Sequence, residues 1–172
     1  MRAAELGMAA IGMMDRDTVS GAVRFHLEAK EQGVRAMVGA EITMDDGSLL
    51  PLMPMDLAGY QSLSRLITTV KLRHKKGEHF ATRADIEEHA AGLLCFTGGA
   101  DGFIYRSIRN RRGQEDLAWL NYVFPGRLYI ELQRHHLPHE EDVNQSLLGL
   151  AHKFRLPYFA SNGPYYAAQR DR

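Results

Sequence analysis

The sequence lacks several features that mark particular classes of protein. It has a single cysteine, Cys95, in 172 residues, which excludes an intramolecular disulfide and fits a reducing compartment. No apolar run approaches the length of a membrane span, and the N-terminus has no signal-peptide pattern. Its 21 basic residues balance 21 acidic ones, so the positive excess of an independent nucleic-acid binder is missing. These absences predict a cytoplasmic protein, not in a membrane, whose DNA contact is weak or indirect.

The composition that remains is that of an ordinary globular protein. Hydrophobic residues make up 45% of the chain and charged residues 24%. A length of 172 residues suits one domain with a real core and is short for two. No repeat, low-complexity tract or linker divides the chain. We therefore predict a single domain over residues 1–172.

Apolar segments alternate with helical patterns along the chain. Strands are predicted over 8–14, 35–43, 48–53, 93–97, 128–132 and 157–160. Helices are predicted over 2–6, 20–32, 54–70, 82–89, 101–110, 113–123 and 140–154. Thr82, followed three residues later by Asp85, predicts a short capping box. Strands separated by helices indicate an α/β fold of parallel units with right-handed crossovers, in either a barrel or an open sheet.

The segment over residues 13–23 carries the most chemical information. An apolar stretch ends in Asp15, Arg16 and Asp17, and a helical pattern follows at once. Carboxylates at the C-terminal end of a strand are where α/β barrels place metal and phosphate chemistry. The segment resembles the second motif of the PHP (polymerase and histidinol phosphatase) domain, in the version of bacterial C-family DNA polymerases. In that family a histidine usually follows the aspartate, whereas Arg16 cannot ligate a metal cation.

Further motifs extend this resemblance over nearly the whole chain, in the family's order and spacing. They are Val38-Gly39-Ala40-Glu41, the "GY" helix at 58–66, Thr97-Gly98, residues 129–133 with His135, and Ala160-Ser161-Asn162. The family is the DNA polymerase III alpha subunit type, replicative or error-prone. The resemblance implies a PHP-type distorted (β/α)7-like barrel. The family's first strand would precede Met1, so we expect an N-terminally truncated domain that lacks it.

The resemblance also implies which residues would form a metal site. An active PHP site is a multinuclear cluster held by His, Asp, Glu and sometimes Cys. Only Asp15 and Glu41 clearly remain of that ligand set, and two carboxylates cannot hold such a cluster. Other ligand positions hold Leu49, Gly99, Gly163 and Tyr165. We predict a degenerate site with no cofactor, or with zinc or manganese if it is active, whose vestigial residues are Asp15, Arg16, Glu41, His135 and Asn162.

Simpler interpretations of these residues are available. Asp15 and Glu41 are more simply explained as ion-pair partners or helix caps, and we expect the Arg16 guanidinium to hydrogen-bond to one of them. His135 is interpreted as a loop histidine of the family, and His136 and His139 as solvent-exposed, because adjacent histidines on an extended segment point opposite ways. Cys95 lies in an apolar strand segment and is interpreted as a core residue, not as a nucleophile.

Two functions from different classes are compatible with this pattern. The first is a non-catalytic PHP-like module with a structural or partner-docking role in DNA replication or repair, which cannot polymerise DNA by itself. Its expected partner is a polymerase core or another replication or repair protein, or a second copy paired through the exposed seam of the barrel. The alternative is a metal-dependent phosphoesterase or 3′–5′ proofreading exonuclease with a reduced site of Asp15, Glu41 and His135.

Overall fold

Six strands form one sheet whose spatial order is the same as their order in the chain. The computed structural model describes residues 2–75, 77–138, 140–164, 166 and 167. The strands are β1 (Ala10–Arg16), β2 (Arg35–Thr43), β3 (Leu49–Pro54), β4 (Leu93–Phe96), β5 (Leu128–Gln133) and β6 (Tyr158–Ser161), in the order β1-β2-β3-β4-β5-β6. The helices are α1 (Arg2–Glu5), α2 (Ala22–Glu31), α3 (Leu57–Arg73), α4 (Arg83–His89), α5 (Phe103–Arg109), α6 (Gly113–Val123) and α7 (Glu140–Phe154). The predicted α/β fold class is confirmed.

One strand of the sheet runs in the opposite direction to the other five. β1 and β2 are parallel, and so are β4, β5 and β6, but β3 is antiparallel to both of its neighbours. The link between β2 and β3 is a tight turn in which the Met44 amide donates to the Ser48 carbonyl at 2.8 Å and Gly47 has φ +74°. A link this short cannot make a crossover, so β3 must reverse.

Local signals set the helix ends. In α4 the predicted capping box is confirmed, because the Thr82 hydroxyl accepts from the Asp85 amide while the Asp85 carboxylate accepts from the Thr82 amide. Helix α3 begins at Leu57 and not at Pro54, which ends β3. The Asp56 carboxylate caps α3 by accepting from the Gly59 amide at 2.8 Å. The first turn of α3 also packs closely against the backbone at Gly92. This packing requires glycine at position 59, because a β-carbon there would lie 2.1 Å from the Gly92 carbonyl oxygen.

One face of the sheet packs against the helices and forms the core. Strand residues of this face are buried together with leucines of α3, α6 and α7, and each fully buried leucine contributes about 1.5–3 kcal/mol relative to exposure. Members of this core are Ala40, Leu52, Cys95, Leu128, Ile130, Leu63, Leu66, Leu117, Leu120 and Leu147. Cys95 is fully buried, as predicted, and burial raises the pKa of its thiol.

The other face is the inner side of a sheet that curls into half a barrel. β1 and β6 lie at its two ends. Among the described residues, no helix combines the length and apolar character needed to cross a membrane. The parallel strands β1, β2, β4, β5 and β6 all end at one rim of the half-barrel, which is where the polar side chains collect.

Candidate functional site

The rim of the inner face brings together polar side chains from four strands. Arg16 of β1 lies opposite Glu41 of β2, and Gln133 of β5 lies opposite Ser161 of β6. Side chains alternate between the faces of a sheet, so these four and Glu131, two residues before Gln133, share the inner face. Below the rim the same face is apolar and is lined by Met14, Met53, Leu94, Phe96, Tyr129 and Phe159. The site therefore combines an apolar floor with a charged rim.

Glu41 is the half-buried carboxylate of this rim. Burial raises its pKa above the ordinary value of 4.5, the Arg16 charge opposes that shift, and the carboxylates of Glu131, Asp101 and Asp17 add to it. Burial is thus the main cause of the raised pKa of Glu41, and Arg16 is the largest charge that opposes it. Glu41 is therefore held in an environment that favours its neutral form more than water does.

The position of Arg16 corrects one expectation. Within the described parts of the chain its guanidinium forms no salt bridge with Asp15 or Glu41. Arg16 is exposed and acts on Glu41 only through longer-range charge. The physical reason is that a long, flexible and well-hydrated side chain loses rotamer entropy when it is fixed against a surface carboxylate.

Asp15 lies on the opposite side of the sheet from Glu41. In the parallel ladder Asp15 is opposite Ala40, whose side chain belongs to the helix-covered core, whereas Glu41 is opposite Arg16. The Asp15 carboxylate is exposed and lies beside the turn that leads into α2, where a β-carbon on Gly21 would be 3.2 Å from its Oδ2. The structure thus brings Arg16 and Glu41 to one face and places Asp15 on the other.

Gln133 organises the rim at β5 and β6. Its side-chain amide donates to the Glu131 carboxylate at 2.9 Å and to the Ser161 hydroxyl at 3.2 Å, and Ser161 in turn donates to Glu131. The same amide fills the space above two glycines. A β-carbon on Gly99 would lie 2.1 Å from Gln133 Oε1, and one on Gly163 would lie 3.1 Å from Nε2. The family resemblance implies metal ligands at positions 99 and 163. The Gln133 amide thus covers the first of these positions and lies beside the second.

His135 and Asn162 meet at a second, more exposed contact. The His135 Nδ1 lies 3.0 Å from the Glu140 carboxylate, and its Nε2 lies 3.0 Å from the Asn162 carbonyl oxygen. Both neighbouring groups are acceptors, so the protonated ring donates at both nitrogens, and these hydrogen bonds raise the pKa of His135 above 6.5, the Asn162 bond most. The ring therefore joins the loop after β5 to the segment after β6.

Asp17 is a site residue that the sequence reasoning did not single out. It is buried with φ +53°, and its carboxylate accepts from the Thr43 amide at 2.8 Å and from the Thr43 hydroxyl at 2.5 Å. The His79 Nε2 is 3.4 Å away. Asp17 therefore fastens the loop after β1 to the end of β2. An aspartate just beyond a strand end was the only signal for this role, since its partner Thr43 is 26 residues away.

Side chains of the types that bind metals are dispersed in the part of the chain that the structure describes. In the ranges that the structure describes, no three or more His, Cys, Asp or Glu side chains are grouped so that they could hold a metal ion. The Gln133 amide fills the space beside Gly99, a position where the family resemblance implies a ligand. His136 is exposed, as predicted, while the predictions for His139 and Tyr165 fall outside the described residues.

Comparison with known proteins identifies the family. The model of the PHP domain matches residues 1–135. The chain belongs to the PHP domain family. This PHP domain is 34% identical over 171 residues to an error-prone DNA polymerase of Pseudomonas aeruginosa, covering 99% of this chain and 16% of that protein. It is 33% identical over 184 residues to a DNA polymerase III subunit alpha of Thermus aquaticus, covering 94% and 15%. The chain therefore spans only a small part of these relatives.

Solved structures support the fold of this PHP domain. An amidohydrolase from Chromobacterium violaceum superposes with a TM-score of 0.60 at 16% identity, covering 99% of this chain and 81% of that one. A protein from Bifidobacterium adolescentis described as a metal-dependent phosphoesterase superposes with a TM-score of 0.56, also at 16% identity, covering 93% and 78%. At this identity the likeness shows the barrel-type fold alone.

Proposed function

We propose that this PHP domain is a non-catalytic module of a DNA polymerase III alpha-type protein, with a structural or partner-docking role in DNA replication or repair. The observation that supports it most is the Gln133 amide, which lies over Gly99 and binds Glu131 and Ser161. This network uses the rim side chains to join β5 and β6. Among the described residues, Glu41 belongs to no group of three or more potential metal ligands. In this proposal the rim stabilises the domain.

The proposed partner is a polymerase core or another replication or repair protein. Support comes from the relatives, which are error-prone DNA polymerases and DNA polymerase III alpha subunits much longer than this chain. A second copy bound through the seam at the edge of the half-barrel is the other protein partner that we propose. DNA contact is weak or indirect, because the acidic and basic residues are equal in number. The proposed location is the cytoplasm, with which a single buried free thiol is compatible.

Elemental analysis tests the non-catalytic role. Protein purified without chelator is analysed for zinc, manganese and iron, and is assayed on a phosphodiester and on a single-stranded oligonucleotide with added Zn²⁺ or Mn²⁺. We expect metal well below one equivalent and a hydrolysis rate equal to that of Glu41→Gln. A content of about two or more metal ions per chain, or a rate that Glu41→Gln abolishes, would establish the alternative phosphoesterase or 3′–5′ exonuclease instead.

A further inference from the structure

Asn162 is the one asparagine of the sequence that is followed by glycine. The sequence has four asparagines, and the residue after the last of them is Gly163. An Asn-Gly pair is chemically labile, because the glycine backbone nitrogen can attack the asparagine side-chain carbonyl and no β-carbon obstructs it. The attack closes a five-membered succinimide ring and releases ammonia. The sequence therefore contains one candidate site of rapid spontaneous deamidation.

The surroundings of Asn162 leave this reaction open. Asn162 and Gly163 are both exposed and lie just beyond β6, outside any helix or strand. Gly163 has φ +46°, a left-handed conformation that glycine adopts without strain. The Asn162 carbonyl oxygen lies 3.0 Å from His135 Nε2, whereas no acceptor among the described residues binds the Gly163 amide. Within this part of the chain the attacking nitrogen therefore gives up no hydrogen bond when it reacts.

The other three asparagines lie in helices or at a helix end. Asn110 is the C-cap of α5, and the amide that follows it, that of Arg111, donates to the Ile108 carbonyl at 3.0 Å. Asn121 and Asn144 lie inside α6 and α7, where the following amide is part of the helical hydrogen bonding. At each of these positions the attacking nitrogen would first have to leave a hydrogen bond, and a side chain stands beside it.

A second pair that could close the same ring, Asp46-Gly47, is held by its own turn. The Gly47 amide donates to the Met44 carbonyl at 2.9 Å, and Asp46 Oδ1 accepts from the Ser48 amide at 2.8 Å. Both reacting groups are thus engaged, and an ionised carboxylate is also a poor electrophile. Local geometry therefore separates Asn162 from Asp46 although a glycine follows both.

We propose that Asn162 is a deamidation site whose products change the charge and the main chain at the rim. The Gly163 nitrogen bonds to Asn162 Cγ, the bond from Cγ to Nδ2 breaks, and the Gly163 proton leaves with the ammonia. Water then opens the succinimide ring. Its attack on the side-chain carbonyl gives aspartate, and its attack on the main-chain carbonyl gives isoaspartate. Water is the only co-reactant, and either product adds one negative charge.

The isoaspartyl product disturbs the contacts of the segment after β6. Its main chain runs through the former side chain and is one carbon longer, so the carbonyl before Gly163 leaves the position that faces His135 Nε2. Gly163 shifts with it, although this residue packs against the Gln133 amide, where an added β-carbon would lie 3.1 Å from Nε2. Deamidation therefore weakens the link between this segment and the loop after β5.

Peptide mapping of aged protein tests the site. The parent chain, Asn162→Gln and the matched control Asn110→Gln are incubated at neutral pH, and deamidation is followed by mass spectrometry. We expect Asn162 to react at least about tenfold faster than Asn110 in the same molecules. Isoaspartyl methyltransferase should label the aged parent and Asn110→Gln but not Asn162→Gln, because glutamine closes its larger ring slowly. Label that Asn162→Gln retains, or equal rates at Asn162 and Asn110, would overturn the proposal.

The urea-unfolded chain separates the effect of structure from that of the dipeptide. It gives the intrinsic rate of the Asn-Gly pair, and we expect the folded chain to deamidate at Asn162 within about tenfold of that rate. Greater protection on folding would show that the segment blocks the attack and would contradict the proposed accessibility of the Gly163 nitrogen.

Thermal unfolding of the separated products tests the consequence. Anion exchange isolates the aged forms, and the isoaspartyl form is compared with unaged parent and with Asn162→Asp. The isoaspartyl form and Asn162→Asp have the same charge, but only the first has the longer main chain, so we expect it to unfold at a lower temperature. Equal unfolding temperatures would refute the weakened link. Metal content and hydrolysis do not enter these measurements, so their outcome is independent of the test of catalysis.

Discussion

The side-chain amide of Gln133 lies directly over Gly99. Gly99 follows β4 and Gln133 ends β5, and a β-carbon at position 99 would be only 2.1 Å from Oε1 of Gln133. The two positions are therefore coupled, since a side chain at 99 and the amide of Gln133 cannot occupy the same space. This coupling makes the rim testable one pair of residues at a time.

A cysteine introduced at position 99 should destabilise the domain. Because Gly99→Cys forces the Gln133 amide away from Glu131 and Ser161, we expect a loss of about 1–3 kcal/mol in the free energy of unfolding, measured in urea. Gly12→Cys is the matched control, since its β-carbon meets only Met53 Cε at 3.6 Å. If the double variant Gly99→Cys, Gln133→Ala were no less stable than Gln133→Ala, the clash would be confirmed as the cause. A fully stable Gly99→Cys would show that the rim repacks freely.

Asp17 should matter more for stability than Asp15. The Asp17 carboxylate accepts two hydrogen bonds from Thr43 in a buried position, whereas Asp15 is exposed. Asp17→Asn should cost about 1–3 kcal/mol, because an amide presents one acceptor where two are used. Asp15→Asn should stay within about 0.5 kcal/mol. Thermal unfolding of the two variants in parallel gives the comparison, and equal effects would contradict it.

The contact between His135 and Glu140 should depend on pH. Hydrogen bonds raise the pKa of His135 above 6.5. The protonated ring therefore adds its full share to the free energy of unfolding below pH 6.5, and this share is lost as pH rises through the raised pKa. Burial alone would raise the pKa of Glu140, but hydrogen bonds from His135 and Leu137 outweigh it and lower the pKa below 4.5. The stability that the ionised Glu140 contributes is therefore lost in acid. The pair should stabilise most between pH 4.5 and 6.5. The effect should be below about 1 kcal/mol, because the His135 side chain is 38% exposed.

Thermal unfolding of His135→Asn across this pH range measures that contribution. Its matched control is His136→Asn, because His136 is exposed at φ +59°, a conformation that asparagine tolerates. The stability difference between the parent and His135→Asn should fall as pH rises above 6.5, while that of the control stays flat. A difference that grows at alkaline pH would refute the assigned protonation.

Asp85 should account for part of the acid sensitivity of the fold. The Arg73 guanidinium, bonded at 2.8 Å, holds the pKa of Asp85 well below its usual range; burial opposes this, and the Thr82 amide adds to it. The ionised Asp85 carboxylate therefore adds to the free energy of unfolding above pH 3.8, its ordinary pKa, and this stabilisation is lost as pH falls through the lowered pKa. Asp85→Asn should cost about 1–3 kcal/mol near neutral pH and progressively less below 3.8.

Urea unfolding at several pH values measures this dependence. Asp101→Asn serves as the control, because the Asp101 side chain is 61% exposed and its contact with Arg106 spans 3.3 Å. An Asp85→Asn penalty that is the same at all pH values would show that shape, and not charge, governs the cap.

Local signals were sufficient for much of the fold. The capping box of Thr82 and Asp85 depends on residues only three apart, so sequence alone located the start of α4. The ends of α1, α2 and α4 are each followed by a glycine with positive φ, which depends on a single backbone conformation. The direction of β3 follows from the short turn between β2 and β3, because a link of that length cannot carry the chain back to the start of a parallel strand.

The site depended on register, which sequence does not display. Arg16 and Glu41 share a face because they are partners in the ladder, and Asp15 is excluded from that face by the same alternation. The position of Gln133 over Gly99 requires the relative placement of β4, β5 and β6, whose links are long. Family motifs could indicate which residues belong to the rim, but they could not show which side chain fills the space between them.

The identity of spatial and chain order in the sheet has a consequence for how the protein is made. Each of the strands β1 to β5 pairs with the strand that follows it in the described chain. Ladder partners such as Ala10 and Arg35, or Leu52 and Cys95, lie in consecutive strands, so each pairing needs only the next strand of the chain. A nascent chain can therefore assemble the sheet progressively on the ribosome, adding one strand to the growing edge as each emerges, with β1 in place first and β6 last.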